Sequence, residues 1–213
     1  ILTLNTIILS CLLIPLGLIK FFLPITNIKV LFTKFIINIG ELWIFTNKIW
    51  VKALHKPNWE VIGKENIESN GWTIATSNHQ SFADIFLLQD ITNMKMPMLK
   101  FFMKYVLIYV PIIGLSWWAL DMPFLKRYTK KQLEKNPKLV GKDVKEMKRA
   151  LKHYSLYPVT VFSFAEGTRF TVKKHRNQNS PFDNLLKPKE GGLATALSLV
   201  NKIDSLIDFW WFL

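Results

Sequence analysis

Cysteine is nearly missing from this chain: Cys11 is the only one among 213 residues. A single thiol excludes a disulfide framework and any cysteine-built zinc cluster. Cys11 lies inside an apolar run, where a small buried hydrophobe is expected rather than a nucleophile. Acidic residues are also scarce, 15 against 28 Lys and Arg, which leaves a formal charge of +13 and a pI of about 9.8. That imbalance points to an anionic partner: a membrane surface, an acidic ligand or nucleic acid. The basic residues show no RNP, zinc-finger or basic-zipper clustering, which speaks against nucleic acid. There is no internal repeat and no low-complexity tract, so repeat architectures are set aside.

Apolar residues are abundant. Half of the chain is hydrophobic and the mean hydropathy is +0.18, high for a soluble domain. The aromatics sit beside apolar runs rather than in basic tracts, which favours lipid over nucleic acid as the partner. The length suffices for one domain with a real core.

Residues Ile1 to Ile19 carry no charge and just meet the length of a membrane-spanning helix. A signal peptide is the competing reading, but no basic stretch precedes the run and no small-residue cleavage site follows it. Pro15 and Gly17 would bend such a helix, so a re-entrant or half-buried segment stays open. From Asn27 to Lys56, the residues Lys34, Asn38, Glu41, Lys48 and Lys52 recur at helical steps and form one polar stripe. The remainder is apolar and includes Trp43 and Trp50, a composition suited to a headgroup boundary. A helix packed on the main domain is the alternative. Six Lys and one acid up to residue 57 would face the cytoplasm if the first helix spans. The sequence starts at Ile1 rather than at Met and stops at Leu213, so one or both ends are expected to be incomplete.

His55, Pro57 and Asn58 read as a linker. Strand candidates follow at Trp59 to Ile62 and at WTIAT, Trp72 to Thr76, then a helix from about Phe82 to Ile91. Lys126 to Lys152 is a basic connector plus a helix, with Val144, Met147, Leu151 and Tyr154 on one face. Pro158 ends that helix, TVFSF (Thr160 to Phe164) is a further buried strand, and Gly191 to Val200 is a small-residue helix. Alternating strands and helices predict an α/β fold. The expectation is a mixed, largely parallel sheet flanked by helices, with an N-terminal membrane-associated helical segment. The expected division is 1–56 for the membrane region and 57–213 for the α/β domain.

In open α/β sheets, ligands bind beyond the carboxyl ends of the strands. WTIAT runs directly into Ser77-Asn78-His79, and TVFSF into Ala165-Glu166-Gly167-Thr168-Arg169. If the two strands are parallel neighbours, His79 and Arg169 open onto one crevice. Histidine is the natural general base at neutral pH, best when a carboxylate holds one ring nitrogen. Asp84 can do this if His79 lies in the turn before the helix and Asp84 in its first turns. Taken alone, the spacing is better read as a loop histidine and a helix-start acid favoured by the dipole. Glu166 to Arg169 is either an anion cradle or a turn with a solvated Glu–Arg pair. Arg127 is a second phosphate contact or one more cation of the connector.

Together, NH-x4-D after one strand, F-x-x-R in the middle and F-x-E-G-T-R after a later strand resemble the PlsC-like glycerolipid acyltransferase family. That family includes the 1-acyl-glycerol-3-phosphate and other lysophospholipid acyltransferases. The resemblance covers roughly residues 70 to 200. WALDMPFLKRY (Trp118 to Tyr128) and KKHRNQNSPFDNLLKPKEGG further resemble YihG-type acyltransferases of bacterial inner membranes. The resemblance implies acyl transfer from acyl-CoA or acyl-carrier protein to a lysophospholipid hydroxyl, with no metal, no resident cofactor and no acyl-enzyme. It implies His79 as general base, Asp84 as its orienter, and Arg127, Glu166, Gly167, Thr168, Arg169 and Lys189 as the acceptor site. It also implies an inner-membrane protein working on the cytoplasmic side. The middle block departs from the family pattern, with Lys126 before Arg127 in place of Ile-Asp. A fourth block, an apolar strand ending in proline, should follow the Gly191 helix. IDSLIDFWWFL ends without any proline, so the natural protein is expected to be longer, or this copy truncated and inactive, and loss of a sheet strand would also cost stability. Competing functions are a non-catalytic lipid-binding protein of the same fold, a histidine-based thioesterase or phosphoesterase, and nucleic-acid binding through Lys126 to Lys152.

Overall fold

The computed structural model describes residues 2–55, 59–67, 69–126, 128–199 and 202–211. In chain order its elements are helices α1 (Leu2–Phe22) and α2 (Thr26–His55), strand β1 (Thr73–Ser77), helix α3 (Ala83–Thr92) and strands β2 (Leu99–Phe101) and β3 (Met103–Lys104). A 3-10 turn (Tyr105–Tyr109) leads to α4 (Ile113–Ala119), β4 (Phe124–Leu125), α5 (Lys130–Lys135) and α6 (Lys142–Tyr154). The chain closes with β5 (Thr160–Phe164), α7 (Val172–Gln178), α8 (Glu190–Leu199) and β6 (Ser205–Phe209). These form two compact units, Ile1–Ile62 with Lys100–Tyr157, and Gly63–Leu99 with Pro158–Leu213.

In the first unit α1 and α2 pack against each other. The covered face of α2 is Thr33, Ile36, Gly40 and Ile44, at steps of three and four that place them on one side of a helix. Asn5 fixes the pair by donating from Nδ2 to Thr46 Oγ1 at 2.9 Å and Asn47 Oδ1 at 2.8 Å. α1 also packs on α4. Gly17 permits the close approach, because a Cβ there would stand 2.6 Å from the Ala119 Cβ. Pro15 lies inside α1, which runs as one helix through it. By length and composition, α1 is the one described helix able to cross a membrane. Many large apolar side chains of α1 and α2 are exposed, among them Ile8, Leu12, Phe22, Phe35 and Trp50. Cys11 is exposed as well, contrary to expectation. The covered line of α1 runs through Ser10, Leu13, Gly17 and Lys20, and one residue further turns a side chain about 100° away from it.

Buried charge ties this unit together. Lys20 Nζ donates to both carboxylate oxygens of Asp121 at 2.8 Å and to Ala119 O at 2.7 Å. Tyr157 OH donates to Asp121 Oδ2 at 3.2 Å, and Tyr154 OH donates to Asp121 O. Burial would raise the Asp121 carboxyl pKa, but His153, Lys20 and Lys100 together hold it well below the usual carboxylate range. Along α6, Met147, Leu151 and Tyr154 are buried as their spacing predicted, while Val144 is exposed.

The second unit carries three strands of the sheet, in the order β5-β1-β6. β1 lies parallel to β5 on one side and to β6 on the other. All of β1 is buried, and Ile74, Ala75, Val161 and Phe162 form the centre of this core. A continuous apolar or β-branched run is what a strand covered on both faces requires. Two expectations are corrected. Trp59 to Ile62 is not a strand: it runs as irregular chain and a turn, and Ile62 is 91% exposed. The sheet strand expected to be lost is present, because Ser205–Phe209 of IDSLIDFWWFL forms β6 in full register with β1. His55 ends α2 rather than a linker, and Pro57 and Asn58 lie outside the described residues.

Candidate active site

The register of β1 on β5 pairs Ser77 with Phe164. Both strands therefore end at the same level, and the loops that follow them meet. Ala165 N donates to Ser77 O at 2.9 Å and Phe170 N to His79 O at 2.7 Å, which laces the two loops together. The imidazole of His79 stacks on the Phe164 ring, with centroids 3.8 Å apart and planes 11° from parallel. The flat apolar surface removes rotational freedom from the histidine.

Asp84 sits in the first turn of α3 and is 2% exposed. Its Oδ2 lies 2.7 Å from His79 Nδ1. The same oxygen accepts the backbone N–H of Gln80 at 2.7 Å and of Ser81 at 2.9 Å. With two N–H groups already aimed at it, Oδ2 is an acceptor and Nδ1 must be the donor. The tautomer so fixed leaves Nε2 with a free lone pair. The awkward five-residue spacing is thus resolved by the turn before α3, which folds the histidine back over the helix start.

Glu166 is the largest surprise of the site. It is 2% exposed, neither solvated nor paired with Arg169. Its carboxylate takes the His79 N–H on Oε1 at 3.0 Å and the Leu186 N–H on Oε2 at 3.1 Å. Both backbone polar groups of His79 are therefore occupied, one by Glu166 and the other by Phe170. Glu166 clamps the histidine loop to the 180s segment, so its two oxygens face protein rather than a ligand.

Gly167 has φ +64°, a left-handed conformation that favours glycine. A Cβ there would lie 2.8 Å from Lys189 Cδ, so the stem of Lys189 packs where a side chain would stand. Lys189 N also donates to Ala165 O at 2.8 Å. Thr168 Oγ1 accepts from Lys174 Nζ at 2.8 Å, and the same ammonium reaches Arg169 O at 2.8 Å. The Arg169 guanidinium lies 4.1 Å from the centroid of the Phe82 ring. His79, Asp84, Glu166, Gly167, Thr168, Arg169 and Lys189 thus belong to one cluster of loops in the second unit. Arg127 lies outside the described residues. Among the described residues no three His, Cys, Asp or Glu side chains converge as metal ligands would.

Sequence reading missed three contributors. Phe164 was legible in principle, since the last residue of one strand stacks on the loop leaving its neighbour. Phe82 and Lys174 carried no such signal, because their partners are more than five residues away in sequence or depend on loop shape.

A family model described as Acyltransferase matches residues 58–203. The chain is 31% identical over 153 residues to 1-acyl-sn-glycerol-3-phosphate acyltransferase 3 of Arabidopsis thaliana, covering 65% of this chain and 36% of that protein. It is 33% identical over 120 residues to 1-acyl-sn-glycerol-3-phosphate acyltransferase delta of Homo sapiens, covering 51% of this chain and 29% of that one. The chain therefore spans about a third of the length of these curated relatives. Among solved structures it is similar in fold to the 1-acyl-sn-glycerophosphate acyltransferase PlsC of Thermotoga maritima, with a TM-score of 0.50 and 19% identity. That match covers 98% of this chain and 80% of the other. With two parallel strands delivering a histidine–aspartate pair and an EGTR loop to one place, and a family match across most of its length, this chain belongs to the Acyltransferase family.

Proposed function

We propose that this protein transfers a fatty acyl group from a thioester, acyl-CoA or acyl-carrier protein, to the hydroxyl of a lysophospholipid, with lysophosphatidic acid as the first acceptor to test. The observation that carries this reading is the His79 Nδ1–Asp84 Oδ2 contact of 2.7 Å, which orients an imidazole whose Nε2 can accept a proton. The acceptor oxygen attacks the thioester carbonyl as His79 Nε2 takes its proton. The C–S bond then breaks, and the proton passes from His79 to the departing thiolate. A thioester is already activated, so the histidine needs no covalent nucleophile beside it. Arg169 and Lys189 would bind the acceptor phosphate, with Gly167 and Thr168 shaping that end of the site. Two relatives, each a 1-acyl-sn-glycerol-3-phosphate acyltransferase, support this acceptor class.

In this reading residues 57–213 carry the catalytic domain, and residues 1–56 hold it at the bilayer. The apolar α1 and the exposed apolar side chains of α2 support membrane association. The resemblance of WALDMPFLKRY to YihG-type proteins and the lysine surplus of the first 57 residues support the cytoplasmic face of a bacterial inner membrane. The test is purified protein with a panel of lysophospholipids and each donor, reading thiol release and lipid product. Wild-type protein should form the diacyl product, and His79→Ala should abolish it. The same dyad could activate water, so thiol release that is unchanged without acceptor identifies a hydrolase and refutes transfer.

A further inference from the structure

Between β3 and α4 the first unit displays a rigid apolar strip. Tyr105, Val106, Tyr109 and Val110, followed by Ile112 and Leu115, are all exposed, Val106 at 64% and Tyr109 at 71%. These side chains are held outward by the backbone beneath them. Gly114 N donates to Val110 O at 2.9 Å, and a Cβ on Gly114 would stand 2.3 Å from Ile108 O, so α4 starts hard against the 3-10 turn. Ile112 takes φ +64°, a conformation that costs a β-branched residue, and the chain accepts it to make this reversal. A soluble surface has no use for such an arrangement, since six exposed apolar or aromatic residues in eleven gain nothing from water.

The rim of the strip is basic. Lys104 precedes it and is exposed, and Lys126 Nζ lies 5.1 Å above the Tyr105 ring. Tyr105 and Tyr109 meet edge to face at 5.9 Å. Tyrosines with an apolar body and a polar tip, flanked by lysines, match the chemistry of a headgroup boundary. The strip is also continuous with the apolar helices. Within the same unit α4 packs on α1, and exposed Phe21 of α1 contacts Trp118 of α4 at 5.9 Å.

We infer that the Tyr105–Leu115 strip is a second membrane-contacting surface, inserted at the headgroup level of an anionic bilayer with Lys104 and Lys126 on lipid phosphates. It acts beside α1 and does not depend on which reaction the His79 site performs. α1 supplies depth, and the strip fixes the rotation of the first unit against the membrane plane.

The test uses the full chain with vesicles of phosphatidylcholine, with and without phosphatidylglycerol. In a Cys11→Ser background, Tyr109→Cys is labelled with a polarity-sensitive dye. On vesicle-bound protein its emission should shift to the blue and be quenched by spin-labelled lipid. Val106→Asp with Tyr109→Asp should lower vesicle partitioning at least about tenfold, with an unchanged melting transition and unchanged acyl transfer in detergent micelles. Lys104→Glu with Lys126→Glu should lower the preference for phosphatidylglycerol by about thirtyfold, near 1 kcal/mol for each lysine removed. A dye that stays in water on vesicle-bound protein overturns the inference. So does a concentration-dependent dimer that the double aspartate variant abolishes. Loss of vesicle binding to neither variant overturns it too, and in each case activity in micelles leaves the proposed reaction standing.

Discussion

The clamp formed by Glu166 gives the sharpest test of how the site is held. Its carboxylate accepts two backbone N–H groups, from His79 at 3.0 Å and Leu186 at 3.1 Å, in a position that is 2% exposed. In Glu166→Gln, one oxygen remains as an acceptor and the new amide NH2 faces the other N–H. One charge-assisted bond is lost and the second becomes neutral. Bonds to charged groups contribute about 1.5–3 kcal/mol each and neutral ones about 1. The gross loss is thus about 2–5 kcal/mol, partly offset because a buried charge is also removed. The expected net destabilisation is about 2–3 kcal/mol, read as a lower urea midpoint at constant m-value. The histidine loop should move with it. A displacement of about 1 Å is enough to cost on the order of a hundredfold in rate, so kcat for thiol release should fall while KM for the lysophospholipid stays. Glu166→Asp, which keeps the charge on a shorter arm, should recover part of both. If Glu166 binds the acceptor itself, KM rises and stability is untouched, and that outcome refutes the clamp.

Three further outcomes follow from the geometry. Asp84→Asn replaces the carboxylate that fixes the His79 tautomer with an amide whose NH2 can face Nδ1, and should lower kcat by about 10²–10⁴-fold in the thiol-release assay, with a smaller change in the melting temperature. Gly167→Ala forces an L side chain into φ +64° against the Lys189 stem, so urea unfolding should show a loss of about 1–2 kcal/mol and acceptor KM should rise. Lys100 is fully buried, with Nζ donating to Leu120 O at 2.6 Å. Burial, opposed by the charge of Asp121, lowers its pKa from 10.5 to about 8. Between those values the unfolded chain holds a proton that the folded protein has released, so stability should rise as pH increases through that window. Lys100→Met should erase this rise. At pH 7 it should stabilise the protein by about 2 kcal/mol, the relieved charge burial less the lost bond to Leu120, as read from urea melts at pH 7 and pH 10.

Some of the fold was written locally. TVFSF is β5 from its first residue to its last, and WTIAT is β1 shifted by one. Both are short apolar or β-branched runs that only a covered strand can use. The helices at Ala83–Thr92 and Lys142–Tyr154 were equally legible, because a period of three to four apolar positions is a property of the segment itself. Trp59 to Ile62 and IDSLIDFWWFL were misjudged in opposite directions for one reason. A strand exists only where a neighbouring strand lies in register with it, as β1 does for Ser205–Phe209, and the 59–62 segment takes a turn instead.

The sequence by itself determined which residues could do chemistry here. It placed a histidine after one strand, an EGTR loop after another and an excess of apolar and basic residues before both, since those are matters of order and composition. Only the tertiary structure decided what each touches. It made β1 and β5 parallel neighbours in register, so that the two loops meet. It turned Asp84 onto His79 through the start of α3, and it buried Glu166 as a clamp where the sequence allowed a solvated pair or an acceptor contact. It also left Cys11 exposed and drew Lys20 and Lys100 inside. Burial of a side chain is set by whichever distant segments cover it, and the partners that make a buried charge tolerable lie about a hundred residues away for Lys20 and twenty for Lys100.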